Sequence, residues 1–351
     1  MNNTPNPIKN YYIAYFDILG YKDFFNTQPD KVPELLDKIH DVVRRTKEHI
    51  GIANQSFIMS QMGQIDIKEK IFSDNFLICL EVMEGPTEQV RLLAFLQIIA
   101  DIQRGFVNDY GLFVRGDVCK GFISFNEDYV FGEGLIKAVE IEDKEAQYPR
   151  LIIDPEIIHI LQNNIFYSEE DQNRALEIEK KIGNNVEVSE DELVIYNSFV
   201  LQMKFYISLL QLRNSLEMPC FDGKWMLNYL SNIDNSAIWS DEAKNIILNN
   251  LQKISPLDYA LANKPTMDIE EVLKQHKNRV EDKLRIFGNN NDIETGDDKS
   301  AKLREKVLRK YIWIMAYHND ICDICQKPDL KILTKSNCDR RFVNTTIEVL
   351  E

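Results

Sequence analysis

No stretch of this chain reaches the roughly 20 consecutive apolar residues that a membrane-spanning helix needs, so a membrane protein is not expected. Basic side chains are also in short supply. There are 41 Lys and Arg against 56 Asp and Glu, a net charge of −15. A general nucleic-acid binder needs clustered Lys and Arg to neutralise phosphates, and this balance argues against one. It leaves room for a nucleotide substrate whose phosphates are held by metal ions between carboxylates. The opening MNNTPNPIKN has neither a basic segment nor an apolar core, so no secretory signal is read and the cytoplasm is the expected location.

Cysteines are few and scattered. Cys79 and Cys119 sit inside apolar, strand-like runs, as buried free thiols do. Cys322 and Cys325 form a single CxxC whose neighbours Cys338 and His318 stand at poor spacing for zinc. What the chain does have is 44% hydrophobic residues in a length of 351, enough for a sizeable core and two domains.

Hydrophobic period places the elements. Residues 11–18, YYIAYFDI, form an apolar run ending in an acid and read as a strand. Val32, Leu35, Leu36, Ile39, Val42 and Val43 recur at helical spacing. Residues 68–80 read as a hairpin around Ser73-Asp74-Asn75, by turn chemistry. Thr87 can cap a long apolar helix running to about Asp109. Strands at 112–124 and 128–131, a helix from Gly132 to before Pro149 and a strand at 151–154 follow. The order β-α-hairpin-α-β-β-α-β predicts an α+β domain over residues 1–156, a mainly antiparallel sheet covered by helices. Residues 157–351 read as a mostly helical C-terminal domain. Within it, 193–216 and 303–322 are helical, a strand follows Asp222-Gly223, and a polar Gly/Asn/Asp-rich stretch near 287–300 reads as a mobile loop.

Asp17 and Asp74 are the informative residues. One acid ends a central strand and the other lies at the tip of the hairpin. If the strand sits beside the hairpin, both carboxylates project from one sheet edge. Unpaired acids in one small volume repel, and a hard divalent cation with oxygen ligands is the natural remedy. Two such ions about 4 Å apart can activate a hydroxyl and steady a pyrophosphate leaving group. Gly20 follows, where exposed backbone amides could cradle a triphosphate. Taken alone, Asp17 reads rather as a helix cap and Asp74 as a plain turn residue; the pair together points to chemistry.

These segments resemble the class III nucleotidyl cyclases. YFDILGY is similar to the F-x-D-I-x-G-F signature, and KIFSDNF to the K-T-x-G-D-x-F hairpin. VRGDVCKG is similar to V-R-x-G-I-x-x-G, and VFGEGLIKAVEIEDKEAQYPRLIID to the G-x-x-V-N-x-A-x-R-x-E helix with its following strand. The resemblance implies Asp17 and Asp74 as metal ligands, with the Ile18 backbone carbonyl as a third. It implies Phe16, Tyr21, Lys70 and Arg115 at the nucleotide, Lys70 at the base-contacting position. It also implies two Mn2+ (or Mg2+) ions and a homodimer with active sites at the subunit interface.

The family's transition-state Asn and Arg fall on Ile136 and Glu140, and its purine-selecting Asp on Tyr129. With the motifs DGKWMLNYL and KYIWIMAYHN further on, the chain is similar to bacterial pyrimidine cyclases of the Pycsar anti-phage systems. That implies cyclic UMP from UTP, or cyclic CMP from CTP, as a messenger for a partner effector. Arg115, Lys120 and Lys137 are the candidate donors in place of the missing Asn and Arg. A catalytically inactive, nucleotide-binding sensor built on the same domain is the rival reading.

Overall fold

The structure is a computed structural model and describes residues 7–22, 29–59, 66–85, 88–126, 128–162, 169–184, 186–196, 216–220, 222–230, 268–288 and 298–333. Among them the fold is α+β. An eight-stranded, mostly antiparallel sheet is covered by helices, and a helical C-terminal region follows. No helix among the described residues is long and apolar enough to cross a membrane.

The strands are β1 (Lys9–Ile18), β2 (Ile67–Phe72), β3 (Asn75–Glu81), β4 (Val114–Phe125), β5 (Val130–Phe131), β6 (Leu151–Ile153), β7 (Glu217–Pro219) and β8 (Trp225–Leu227). The sheet order is β2-β3-β1-β4-β6-β8-β7, with β5 paired to β4. Every pairing is antiparallel except β4 with β6. β1 therefore lies in the middle, which explains its unbroken apolar sequence: both of its faces are covered.

Strand alternation divides the interior. Tyr12, Ala14, Phe16 and Ile18 enter the larger core, beneath α1 (Val32–Met59) and α2 (Glu88–Tyr110). Tyr11, Ile13 and Tyr15 enter a smaller one, beneath α3 (Glu133–Lys144). That helix sits unusually close to the sheet, since a Cβ added at Gly121 would fall 2.5 Å from the Gly134 Cα. Only glycines at both positions permit this approach.

Past β6 come α4 (Pro155–Gln162) and α5 (Glu169–Gly183). The chain then returns to the same sheet. β8 pairs with β6, and Arg150 just before β6 reaches Asp222 beside β8 at 3.1 Å. Arg150 is fully buried against the stacked Tyr148 and Trp313 rings. α6 (Ile269–Gly288) and α7 (Asp298–Ile324) complete the helical region, and their Val272, Leu273, Tyr311 and Trp313 join the larger core. Arg279 of α6 donates to the Asn108 and Asp109 carbonyls, both at 3.0 Å, supplying donors that the end of α2 lacks. The helix expected over 193–216 and the loop expected near 287–300 fall mostly outside the described residues.

Candidate active site

The two acids meet at one rim of the sheet because β1 is threaded between β3 and β4. Asp17 pairs with Asn75 on one side and with Arg115 on the other. Asp74 lies in the β2–β3 turn, where Ser73 takes the left-handed conformation with φ of 58°. The Ile18 N–H donates to the Asp74 carbonyl at 3.1 Å and locks that turn against the end of β1. Directly opposed residues share a face, so the row Phe72, Asn75, Asp17, Arg115 crosses four strands on the α3 side.

Each acid is steadied by a neighbour. The Arg115 guanidinium lies along Asp17, with Nε 3.1 Å from Oδ1 and Nη2 3.3 Å from Oδ2. The same Nη2 is 2.7 Å from Oε1 of Glu142, which hangs from α3. On the other side, the Asn75 side-chain amide donates to Asp74 Oδ1 at 3.3 Å. Asn75 is in turn fixed by the Tyr15 hydroxyl, which donates to its Oδ1 at 2.7 Å. The arrangement is two carboxylates, each oriented by a second group that a third group holds in place.

The electrostatics follow from burial. The Asp17 side chain is 18% exposed, and burial raises its carboxyl pKa. Arg115, and Lys310 arriving from α7, pull it down, while Asp74 raises it further. Burial, then Asp17, pushes the Glu142 carboxyl up to about 6. Burial, then Glu142 and Asp17, drives the Tyr15 phenol up to about 12, so Tyr15 stays a protonated donor at neutral pH. Three carboxylates held this close in a partly dry rim create a demand for cations. The donor set suits a hard divalent ion, which typically takes one or two protein carboxylates and fills its remaining positions with water and substrate phosphate. No group of three or more His, Cys, Asp or Glu placed to hold a metal by itself occurs among the described residues.

The remaining residues singled out from the sequence divide clearly. Lys70, half-buried on β2, stands on the Asp17 face in the row Lys70, Leu77, Tyr15, Asp117. Tyr21 is half-buried against the larger core, just past the exposed turn at Gly20, where φ is +79°. Ile18 is buried on β1. Phe16 lies elsewhere. Alternation turns it to the opposite face from Asp17, where it is fully buried and stacks on Phe76 at 5.3 Å.

Of the three candidate donors, Arg115 alone contacts Asp17. Lys137 pairs with Asp154 at 2.9 Å, and Lys120 with Glu156 at 3.6 Å, as a separate cluster. Ile136 and Glu140 lie on the outer side of α3, Ile136 63% exposed and Glu140 paired with Lys144 at 3.2 Å. Glu142, Asn75 and Tyr15 were not singled out from the sequence. For Glu142 the available signal is the stripe Gly134, Ala138, Glu142, which repeats every fourth residue along the buried side of α3. A cleft of about 450 Å³ opens among α1, α2 and the start of α6, and it contains neither Asp17 nor Asp74.

Among the solved structures that match, one shows a likeness of low score. The crystal structure of the adenylyl cyclase CyaB from P. aeruginosa resembles this chain over 46% of its length and 85% of that protein's, at 14% identity and a TM-score of 0.34. A likeness of that size carries no argument about chemistry. No family model and no curated protein matches the chain.

Proposed function

We propose that this chain is a divalent-metal-dependent nucleotidyl cyclase. It converts a nucleoside triphosphate, UTP by first preference and CTP by second, into the 3′,5′-cyclic monophosphate and diphosphate. The observation that carries the reading is the convergence of Asp17 and Asp74 at one rim, each carboxylate pre-oriented by its own partner. The site motifs that resemble class III cyclases fall on these same positions, and the resemblance to pyrimidine cyclases supplies the choice of base.

In this reading Asp17, Asp74 and the Ile18 carbonyl would hold two Mn2+ or Mg2+ ions, which would lower the 3′-hydroxyl pKa and offset charge on the leaving diphosphate. The ribose 3′-oxygen attacks the α-phosphorus, losing its proton, as the bond to the β-phosphate oxygen breaks. The chain's own residues position these groups. Asn75 and Tyr15 aim Asp74, and Arg115 brings the one guanidinium near the reacting centre among the candidate donors. Lys70 and Tyr21 belong to the nucleotide side of the site, and Phe16 supports it only through the core.

Exposed apolar residues occur on α3, at Ile136 and Val139, and at the far end of the sheet, at Phe122 and Phe131. Apolar surface of this kind favours self-association, and the resemblance to class III cyclases supplies the homodimer with active sites between subunits. The product would serve as a messenger in anti-phage defence, acting through a partner effector. A specific observation favours the rival, inactive sensor: the two family positions on α3 are an exposed Ile136 and a Glu140 paired to Lys144.

Incubation with each of the four nucleoside triphosphates and Mn2+, followed by mass spectrometry, decides between them. Cyclic UMP is expected as the main product, and D17N or D74N should lower turnover at least about 10³-fold, equivalent to about 4 kcal/mol. No cyclic product from any triphosphate, with the protein shown to be folded, would exclude the enzyme. Nucleotide binding surviving in that protein would leave the sensor.

A further inference from the structure

Arg115 occupies the place a metal would need. Its guanidinium spans both Asp17 oxygens, at 3.1 and 3.3 Å. These are long for charge-assisted hydrogen bonds, which run to about 2.7–2.9 Å. Glu142 Oε1 lies 2.7 Å from the same guanidinium as a close ion pair, and that buried oxygen has no hydrogen-bond partner among the described residues. One guanidinium thus faces two acids, hydrogen-bonded to Asp17 and near enough to Glu142 to turn onto its unsatisfied oxygen. The Glu142 end has a structural cause: the Gly121–Gly134 approach seats α3 on the sheet and brings Glu142 down two turns later.

We infer that Arg115 is a built-in counter-ion for the cation site, and that Glu142 is the positioning residue that takes over its guanidinium when a divalent ion binds Asp17. The inference rests on the reading of Asp17 and Asp74 as metal ligands. Without metal, Arg115 neutralises Asp17 and keeps two desolvated acids tolerable. When the ion arrives, the Asp17 contacts break and the guanidinium turns onto the unsatisfied Glu142 oxygen. The guanidinium swings off Asp17 without entering solvent, and stays where it can meet a substrate phosphate. Arg115 and the metal therefore compete for one carboxylate, with Glu142 setting the balance. Asp143 beside Glu142 and Lys310 on the Asp17 side add their fields to the same rim. Arg suits this role because its planar fork can hold both Asp17 oxygens and still face Glu142, whereas a lysine has no such fork.

The two residues should move metal affinity in opposite directions. Mn2+ alone is titrated into the full chain without nucleotide, with free ion followed by electron paramagnetic resonance and folding checked by circular dichroism. R115M should tighten the Kd about tenfold, and E142Q should weaken it about tenfold, within the range of ordinary site-to-site coupling. Because Glu142 acts through Arg115, adding E142Q to R115M should change the Kd less than about twofold. R115K, which keeps a charge but loses the fork, should fall between wild type and R115M and serves if R115M misfolds. Asp17-dependent Mn2+ binding that ignores R115M, or an E142Q effect that persists in full without Arg115, overturns this inference and leaves the metal reading standing. An Mn2+ isotherm that D17N leaves unchanged overturns the metal reading and this inference together.

Discussion

Two polar clusters lie inside this protein, and they are satisfied in opposite ways. At the rim, Asp17 and Glu142 flank Arg115 with Asp74 beside Asp17, and burial works against the charge of Asp17 and Glu142, whose carboxyls sit at raised pKa. In the helical region, Tyr229, His276 and His318 form a closed chain. Tyr229 Oη is 2.9 Å from His276 Nε2, His276 Nδ1 is 3.0 Å from His318 Nδ1, and His318 Nε2 is 3.0 Å from the Leu330 carbonyl. The carbonyl can only accept, so His318 Nε2 carries the proton and its Nδ1 accepts. His276 then donates through Nδ1 and accepts the Tyr229 hydroxyl proton at Nε2. Every partner is used, with both rings neutral and both fully buried. A closed chain of this kind rigidifies. An acid cluster left short of cations is ready to take one.

Breaking the closed chain should give the largest stability effect. H318A removes a buried ring and orphans a His276 nitrogen, so a loss of about 3 kcal/mol is expected in urea unfolding. Wedging α3 off the sheet comes next. G121A places a Cβ within 2.5 Å of the Gly134 backbone, which should cost about 2 kcal/mol and weaken Mn2+ binding as Glu142 lifts away. If G121A lowers stability and leaves Mn2+ affinity intact, the helix does not set the rim.

Acid separates the clusters by sign. Burial lowers the His276 pKa well below its ordinary value and takes His318 from 6.5 to about 4. The unfolded chain takes up these protons near pH 6.5, and the folded chain resists until about 4. Stability should therefore fall as pH drops through that window, by about 2 kcal/mol from His318 alone between pH 7.5 and 5.0. Glu142 acts the other way. Its folded pKa is raised from 4.5 to about 6, so its contribution is present below 4.5 and lost as pH rises through 6. E142Q removes that opposing slope, and acid unfolding should be steeper in E142Q than in wild type. An unchanged slope would mean that Glu142 does not feel the burial described.

The rim acids were readable in the sequence because each sits where local chemistry fixes it. Asp17 ends a strand whose apolar run is unmistakable, and Asp74 follows Ser73 in a turn between two strand-like runs. The same two-residue alternation that places Asp17 also puts Tyr15 on its face and Phe16 on the other, so Phe16 in the core follows from the pleat. Glu142 was harder to see. Motif spacing drew attention to Ile136 and Glu140, but the buried side of α3 is set by Gly134 meeting Gly121, a contact between segments that no single-helix period reports. The β7–β8 hairpin extends the sheet through short strands far along the chain, and its pairing with β6 is likewise non-local. Nor does spacing bring His276 to His318, which lie on different helices.

The central claim is that Asp17 and Asp74 serve one cation site. Mn2+ binding to wild type, D17N, D74N and the double variant tests it most directly. Each single variant should lose most of the binding, at least about tenfold in Kd, and the double should be little worse than either, since both acids act as a unit. Either single variant binding Mn2+ like wild type, or two losses that simply add, would contradict a shared site.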